Sequence, residues 1–311
     1  MEDPRDTLLK DINIKLCRVE LSDSPIVLLC GGKVPCKKHP DDPEPEISSL
    51  RHTITHQNTE FEIFRPEEIT TWQTDGTYKN LMDFEADLAS ICSIVVIILE
   101  SAGSIAELGA FSQLADLSNK LIVIKSREFN DKPSFINLGI LRHIAENHST
   151  SIKSYDWDTS KPLAIKNTVA EDVIYDIQAE LDNLKNSSVL KLNLSPHIIV
   201  LVCELLQLFV ALKEKELLTY IQAMGVDIDK GNLRGKLFLL EKFNLISRHE
   251  NGGSFFYVRT TEAYHKLRLS AEEGKSIDAL RVPVECIQYY ESKKDRHRTN
   301  LIKEINSGVL K

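Results

Sequence analysis

The 311-residue sequence contains little that marks an exported or membrane protein. Its N-terminus, MEDPRDTLLKD, is acidic and lacks the basic and apolar regions of a signal peptide. The longest apolar stretch, residues 197–212, is interrupted by Glu204 and Gln207 and is shorter than the roughly 20 residues that cross a bilayer. Six cysteines without a C-x-x-C pair indicate reduced thiols rather than a disulfide framework. We therefore expect a cytoplasmic protein that does not enter a membrane.

Two common kinds of site are also missing from the sequence. Lys33 follows two glycines but precedes Val34, so the Ser or Thr of a P-loop is absent. His52 and His56 lie four residues apart in HTITHQNTEFEIF, which alternates like a strand and so does not provide metal-ligand geometry. We therefore predict no metal site.

The charges are unevenly distributed along the chain. Residues 1–185 hold 19 Lys and Arg against 31 Asp and Glu, whereas residues 186–311 hold 19 against 15. Two halves of opposite net charge predict two domains, which also fits the length. The basic half is the one more suited to contact nucleic acid.

The first half alternates strand and helix patterns. Apolar runs that predict strands occur in PIVLLCGG, FEIFRPEEI, SIVVIIL and KLIVIKS. Helical periodicity occurs in KNLMDFEADLASIC, in a segment that begins near Ser104, and in residues 163–184, where one stripe holds Val169, Val173, Ile177, Leu181 and Leu184. This order predicts an α/β fold over residues 1–185, with a Rossmann-like parallel sheet covered on both faces.

The second half predicts a winged helix-turn-helix domain over residues 186–270 and a helical tail over residues 271–311. A helix that opens at Ser195, a short helix ending at Gly225 and a second helix precede two strands around residues 251–253. Six basic residues of this region could contact phosphates: Lys230, Arg234, Lys236, Lys242, Arg248 and Arg259. The alternative is a charged face used only for protein contacts, and no base-reading pattern is present.

The stretch ESAGSIAELGAF follows the predicted strand SIVVIIL and contains Glu107. Ser104 and Glu107 fit a capping box, in which Glu107 would only bond the start of its own helix. The alternative is a ligand site, because loops after the carboxyl ends of parallel strands bind ligands, and CGGK follows another strand in the same way. In the first helical turn, the helix dipole would keep the Glu107 carboxylate ionised, as a nucleophile or electrostatic stabiliser requires.

An ionised carboxylate at this edge suits the breaking of a bond between ribose C1′ and a base nitrogen. That reaction passes through an oxocarbenium-like cation, which a carboxylate below the carbon stabilises or captures. The nicotinamide of the oxidised dinucleotide NAD+ leaves a cationic nitrogen as a neutral molecule and needs no acid. One well-placed carboxylate would then suffice.

The segment ADLASICSIVVIILESAGSIAELGAFSQLADLSNKLIVI resembles the core of the nucleoside 2-deoxyribosyltransferase family. The resemblance implies that Glu107 is the nucleophilic carboxylate and that Asp87 is a carboxylate on the substrate side. It also implies that Gly31 and Gly32 form a phosphate- or ribose-side loop. The complete predicted substrate-binding set is Cys30, Gly31, Gly32, Ser101, Gly103 and Ser104, of which the two serines could equally only cap the helix.

The element AGSIAE also resembles the Gly-Thr-x-x-Glu element of nucleotide phosphoribohydrolases, which release a base from ribose as well. The transferases carry an additional Asp in the loop before their Glu-Leu-Gly helix. Here that loop is ESAGS, with Glu100 nearby. This departure favours hydrolysis of a larger nucleotide over base exchange between deoxynucleosides.

Over essentially its full length the chain is similar to the effector proteins of type II retrons, which are bacterial anti-phage systems. That resemblance implies an N-glycosidase toxin that hydrolyses the nicotinamide–ribose bond of NAD+, with NAD+ as substrate and no cofactor. It also implies restraint by a reverse transcriptase and its branched RNA–DNA product, msDNA, and assembly into a homo-oligomer or filament. Two alternatives remain open: a deoxyribosyltransferase or hydrolase of free nucleosides and nucleotides, and a non-catalytic nucleotide sensor coupled to a DNA-binding winged helix.

Two further segments of the first half could complete a site. Trp72 and Tyr78 could stack on a base from a lid, or they could be partly buried packing residues. Residues 134–139 could form another loop at the same edge of the sheet.

Overall fold

The computed structural model describes residues 2–37, 39, 41–71, 76–117, 119–130, 132–147, 151–260 and 264–308. These residues form two compact units, which we call the sheet unit and the terminal unit. The sheet unit comprises residues 24–71 and 80–184, and the terminal unit comprises the described residues of 1–23, 72–79 and 185–311. The first 23 residues thus belong with the C-terminal part of the chain, which the division of the sequence at residue 185 does not anticipate.

The described part of the chain contains the following elements. The helices are α1 (Pro4–Asp11), α2 (Leu50–Ile54), α3 (Leu81–Ile91), α4 (Ala102–Phe111), α5 (Arg142–Asn147), α6 (Asn167–Asp182), α7 (Ser195–Phe209), α8 (Glu214–Ala223), α9 (Lys230–Lys242), α10 (Arg281–Ser292) and α11 (Arg296–Asn306). The strands are β1 (Arg18–Glu20), β2 (Ile26–Cys30), β3 (Glu62–Phe64), β4 (Ile94–Ile98), β5 (Leu121–Ser126), β6 (Ile152–Tyr155), β7 (Ser187–Val189), β8 (Ile246–Asn251), β9 (Ser254–Arg259) and β10 (Lys266–Arg268).

The core of the sheet unit is a parallel sheet with the described strands in the order β3-β2-β4-β5-β6. Strands β2, β4 and β5 are buried along their whole length, as expected of parallel strands covered on both faces. On one face, side chains of these strands pack with α2 and with the buried stripe of α6. The predicted mixed α/β fold with a parallel sheet is therefore confirmed.

The segment that contains His52 is a helix, so its interpretation as a strand was wrong. Helix α2 begins after Ser49, whose hydroxyl accepts a hydrogen bond from the backbone N–H of His52 at 2.9 Å. The backbone N–H groups of Leu50 and Arg51 also find acceptors on a side chain that is distant in sequence. Once these first-turn donors have partners, the helical form is stabilised over the alternating strand pattern.

The terminal unit contains a small antiparallel sheet in the order β10-β1-β7, and α1 lies against α10. Each of these three strands has only three residues, which is too short for a recognisable sequence period. The predicted order of helix, turn, helix and hairpin is present as α8, α9, β8 and β9. Gly252 and Gly253 turn the hairpin at φ values of 57° and 70°, in the left-handed region that glycine adopts without strain.

Helix α7 differs from its prediction at its first residue. The residue at the N-cap is Leu194, and Ser195 is the first residue inside the helix. The Ser195 hydroxyl instead accepts a hydrogen bond from Lys236 Nζ at 2.6 Å. No helix in the described ranges has both the length and the apolar character that a bilayer span requires.

Of the two aromatic residues predicted to form a lid, the structure describes only Tyr78. Trp72 lies outside the described residues. Tyr78 belongs to the terminal unit, where its ring meets the ring of Phe238 edge-on at a centroid distance of 6.2 Å. A Cβ atom on Gly235 would lie 2.9 Å from the Tyr78 hydroxyl oxygen, so this glycine accommodates the tyrosine. Tyr78 therefore packs against α9.

Candidate active site

The strand order creates a switch point between β2 and β4. The chain leaves β2 for β3 on one side and then crosses to β4 on the other side of β2, so the direction of winding reverses between β2 and β4. In open parallel sheets, ligands bind beyond the carboxyl ends of the strands at such a point. Strand β2 ends at Cys30 and β4 ends at Ile98, so the CGGK loop and the segment before α4 both start there. The two predicted loops thus share one edge of the sheet.

Helix α4 is capped without the help of Glu107. Its N-cap is Ser101, whose hydroxyl accepts a hydrogen bond from the backbone N–H of Ser104 at 3.1 Å. The Ser104 hydroxyl in turn accepts a hydrogen bond from the backbone N–H of Ser101 at 3.2 Å, which completes a capping box. The predicted box of Ser104 and Glu107 was therefore wrong. Glu107 lies in the second turn and has no role at the end of its own helix.

The side chain of Glu107 is half-buried, and one oxygen of its carboxyl group is fully buried. Its Oε2 atom has no hydrogen-bond partner in the part of the chain that the structure describes. Burial raises the pKa of Glu107. The Arg51 guanidinium and a hydrogen bond with the Cys30 thiol lower this pKa and offset part of the increase. The predicted effect of the helix dipole does not prevail, because the dipole acts mainly within the first turn. A buried polar atom without a partner costs roughly 1–3 kcal/mol, so this oxygen is a candidate for contact with a bound molecule.

Arg51, which was not among the predicted site residues, supplies a positive charge next to Glu107. Its Nη1 and Nη2 atoms each donate to one carboxylate oxygen of Glu67 at 2.7 Å, which fixes the plane of the guanidinium. The side chain of Arg51 is only 5% exposed. Since Arg51 and Glu67 approach Glu107 only through the fold, no spacing in the sequence indicates them.

A second carboxyl group next to Glu107 comes from Glu85 of α3. Burial, together with the negative charges of Glu107 and Glu67, raises the pKa of Glu85 to about 7. A carboxyl group that titrates near neutral pH can donate or accept a proton during a reaction. The cluster of Glu107, Arg51, Glu67, Glu85 and Cys30 therefore combines a carboxylate, a fixed cation and a titratable acid at the switch point.

The family resemblance implied Asp87 of α3, and not Glu85, as the carboxylate on the substrate side. Asp87 is half-buried on the same helix, and its predicted contact with substrate stays a prediction. The buried stripe of α3 consists of Phe84, Leu88 and Ile91. Both carboxylates flank that stripe, so helical periodicity alone cannot distinguish them.

Glu100 fastens the two loops of the switch point together. Its Oε1 atom accepts hydrogen bonds from the backbone N–H groups of Gly32 and Arg51 at 2.9 and 3.0 Å, and its Oε2 atom accepts one from Leu50 at 2.7 Å. A Cβ atom on Gly32 would lie 2.5 Å from the Cβ atom of Ser49 and 3.0 Å from Glu100 Oε1. The glycine is thus required by the close approach of protein groups. Contact between this loop and a substrate remains a prediction.

The other predicted substrate-binding residues differ in accessibility. Cys30 and Ser104 are buried, and their polar groups are occupied by Glu107 and by the helix cap, respectively. Ser101 is half-buried, and its hydroxyl donates to the carbonyl oxygen of Gly31 at 3.0 Å. Gly103 is exposed in the first turn of α4. Within this set, Ser101 and Gly103 present surface that a ligand can reach.

We expect Glu85→Gln to stabilise the protein in a pH-dependent way. The pKa of Glu85 rises from 4.5 to about 7 on folding, so the folded chain binds more protons in this range and loses stability as the pH increases through it. Removing the ionisable group should add roughly 2 kcal/mol at pH 8, after allowance for partial solvent screening, and nothing at pH 4. Thermal melts at pH 4, 6 and 8 measure this, with Glu171→Gln on the exposed side of α6 as control. A gain that did not depend on pH would contradict the assignment.

The structure separates the six basic residues predicted to contact nucleic acid. The side chains of Lys236 and Arg259 are buried. Lys236 Nζ donates a hydrogen bond to the Ser195 hydroxyl, and Arg259 Nη1 lies 3.8 Å from Glu204 Oε2 of α7. Their predicted exposure was therefore wrong, since both cations serve to join α7 to its neighbours. The four others are exposed.

The four exposed cations of this region have two kinds of environment. Lys230 and Arg234 both form ion pairs with Glu214 of α8, at 3.6 and 2.9 Å, which reduces their net charge. Lys242 and Arg248 lie over aromatic rings, at 5.1 Å from Phe238 and 4.9 Å from Phe255, respectively. The last pair offers the more suitable surface for phosphates.

The family model and the relatives that match this chain all belong to retrons. Residues 48–248 match the family model described as STM3845 retron effector protein. Two relatives from Escherichia coli carry the names "Retron Ec73 putative ribosyltransferase/DNA-binding protein" and "Retron Ec86 putative ribosyltransferase/DNA-binding protein". The first is 31% identical over 146 residues, which is 42% of this chain and 46% of that protein. The second is 34% identical over 130 residues, which is 40% of this chain and 39% of that protein.

The chain thus spans less than half the length of each of these curated relatives. The family model, in contrast, covers well over half of this chain and includes α2, the β4 and α4 side of the switch point, and the helices α7 to α9. The chain belongs to the STM3845 family of retron effector proteins.

Proposed function

We propose that this retron effector is an N-glycosidase that hydrolyses the nicotinamide–ribose bond of NAD+ in anti-phage defence. The observation that carries the proposal is the Glu107 carboxyl group, whose Oε2 atom is buried without a partner among the residues described. It lies beside Cys30 at the switch point of the sheet and takes no part in capping its helix. Charged groups with perturbed pKa values in such a position are typical of catalytic sites.

The proposed reaction assigns one task to each charged group. The C1′–N bond breaks, and its electron pair goes to the nicotinamide nitrogen, which thereby becomes neutral. The ionised Glu107 captures or stabilises the cation at C1′, and the Arg51 charge favours the ionised form of Glu107. Water then attacks C1′, which expels the Glu107 carboxylate if it has bonded to that carbon, and transfers a proton to Glu85, which is partly ionised near neutral pH and releases the proton to solvent. The products are nicotinamide, ADP-ribose and a proton.

A second candidate is ribosyl transfer or hydrolysis on free nucleosides and nucleotides. Neutral bases such as purines must be protonated as they leave, and a pKa of about 7 makes Glu85 a suitable proton donor. The names of the two relatives from Escherichia coli, which call them ribosyltransferases, also favour this chemistry. The two candidates share Glu107 and differ in the leaving group.

Product analysis distinguishes the candidates. The full chain is incubated separately with NAD+, nicotinamide mononucleotide and deoxyadenosine, and the products are separated by chromatography. Release of nicotinamide and ADP-ribose supports the NAD+ hydrolase, whereas adenine release from deoxyadenosine alone supports the second candidate. If the chain binds a nucleotide and returns it intact under all conditions, it is a sensor and the enzymatic proposal fails.

We further propose that α7 to α9 with the β8–β9 hairpin form a winged helix that holds the effector in a cytoplasmic complex with the retron reverse transcriptase and msDNA. The order of these elements supports the proposal. So do the exposed Lys242 and Arg248 and the DNA-binding names of the relatives. In that complex the effector would be restrained and assembled into a homo-oligomer. Co-expression and co-purification of the three components, followed by the NAD+ assay before and after nuclease treatment, tests the restraint.

Charge reversal at Lys242 and Arg248 should weaken binding of single-stranded DNA by the full chain. Each phosphate contact that is lost reduces the dependence of log K on log salt by about 0.7, so the double variant should lower that slope by about 1.4. Fluorescence anisotropy at several salt concentrations measures the slope. Charge reversal at the exposed Lys266 and Lys303 provides the control. An equal decrease of the slope in both double variants would indicate a general effect of net charge and no specific contact of Lys242 and Arg248 with DNA.

A further inference from the structure

We propose that a cavity on the face of α4 opposite Glu107 binds the second, phosphate-bearing nucleotide of a dinucleotide substrate. The inference rests on the proposed function and extends it by assigning the site that holds the ADP half of the substrate. The cavity has a volume of about 410 Å³ and lies between the carboxyl ends of β4 and β5. Small-molecule pockets typically have volumes of about 300–1,000 Å³, so one nucleotide fits this space.

The wall of the cavity combines an apolar part with two cations. Leu99, Ile105 and Phe129 provide apolar surface of the kind on which a base ring packs. Lys125 and Lys132 provide positive charge for a phosphate. These two kinds of surface adjoin each other, because Lys132 Nζ lies 4.5 Å from the centre of the Phe129 ring. A molecule with an aromatic base and a phosphate matches both.

The segment after β5 is held in place by Asn137. Lys125 is 9% exposed, and its Nζ atom donates to Asn137 Oδ1 at 3.0 Å. The Asn137 side-chain nitrogen donates to the carbonyl oxygens of Phe129 and Lys132 at 2.7 and 2.8 Å. Asn137 therefore ties the residues that carry the aromatic ring and the outer cation to the end of the strand. Residues 134–139 therefore lie at the edge of the sheet that carries Ser101, as predicted, but the prediction of a loop was wrong, because Ile136–Leu141 form a short π-helix.

The cavity and the Glu107 cluster flank the same helix. Ile105 and Glu107 are two residues apart, so at 100° per residue their side chains leave α4 about 160° apart. Glu100 joins the two sides, because it lines the cavity and also accepts the hydrogen bond from the backbone N–H of Arg51. A nucleoside can occupy only one side of this helix end. Two nucleotides joined by a diphosphate can occupy both, which favours a dinucleotide as substrate.

Binding of ADP by the full chain tests the cavity directly, with isothermal titration calorimetry as the measurement. Ile105→Trp fills the cavity and should weaken ADP binding at least tenfold, whereas Ala106→Trp at the next exposed position of α4 should not change it. Lys132→Glu should weaken binding roughly tenfold, and Lys166→Glu at the exposed N-cap of α6 is its control. Circular dichroism verifies folding, and Lys132→Glu keeps the test valid if the larger side chain is not tolerated.

Kinetics separate failure of this inference from failure of the proposed function. The wild-type chain should have a higher kcat/KM for NAD+ than for nicotinamide mononucleotide, and Ile105→Trp should reduce this ratio at least tenfold. If NAD+ is hydrolysed but neither ADP binding nor the ratio responds to the cavity variants, the cavity assignment is wrong and the proposed function stands. If ADP binding follows the cavity variants but no nicotinamide is released, the cavity stands and the proposed reaction is wrong.

Discussion

Glu107→Gln is expected to reduce nicotinamide release from NAD+ at least about a thousandfold and at the same time to stabilise the folded protein at neutral pH. The amide has nearly the shape of the carboxyl group but carries no charge with which to capture or stabilise the ribosyl cation. Since burial raises the pKa of Glu107, its ionised form is disfavoured in the folded state relative to the unfolded chain. Removing the charge therefore stabilises the folded state and at the same time prevents the reaction.

Kinetic and thermal measurements on the same preparations test both parts. Glu107→Asp keeps the charge but withdraws it by one methylene group, about 1 Å, which should cost roughly a hundredfold in rate. Glu171→Gln on α6 is the matched control and should change neither activity nor stability. The acid limb of the pH–rate profile should lie at higher pH than an ordinary glutamate would give, because ionised Glu107 is the active form. Unchanged nicotinamide release by Glu107→Gln would remove the basis of the proposed mechanism.

Glu100→Ala is expected to lower the free energy of unfolding by roughly 3 kcal/mol and to abolish activity. Three backbone N–H groups, those of Gly32, Leu50 and Arg51, would lose their acceptor together. Each such group that is left buried without a partner costs about 1–3 kcal/mol, less what water recovers. Activity would be lost because the same bonds hold the first turn of α2, and with it Arg51, against the loop after β2.

Urea denaturation of Glu100→Ala, Glu100→Gln and Glu171→Ala measures this effect. The glutamine variant keeps one acceptor oxygen but turns an amide nitrogen toward a backbone donor, so its loss of stability should be intermediate. The Glu171 variant lies on an exposed face of α6 and should match the wild type within about 0.5 kcal/mol. If Glu100→Ala unfolds at the same urea concentration as this control, Glu100 does not fasten the loops.

The fold of the sheet unit was largely predictable, and the reason is burial on both faces of the sheet. Strands β2, β4 and β5 are continuous apolar runs in the sequence because nothing polar can face solvent along them. The stripe of α6 was predictable for the related reason that one side of the helix packs on the sheet. The β8–β9 hairpin was predictable because its Gly-Gly turn needs positive φ.

Elements stabilised by distant partners were not predictable. Helix α2 has only five residues, and its first turn depends on Glu100, which lies about fifty positions further along the chain. Strand β1 depends on partners from the other end of the chain, β7 and β10. Lys236 and Arg259 were expected at the surface because charge normally lies there, but Ser195 and Glu204 of α7 bind them inside.

The sequence by itself determined the position of Glu107 after a buried parallel strand, because the apolar run and the following small residues are local features. Only the tertiary structure decided that Ser101 and Ser104, and not Glu107, cap helix α4. It also decided that Glu107 lies near Arg51, Glu67 and Glu85. These groups come from separate segments, and the pKa of each depends on burial and on charges that approach only when the sheet has formed. The local sequence therefore identified Glu107 as the candidate catalytic residue, and the neighbours that the fold brings to it determine its chemistry.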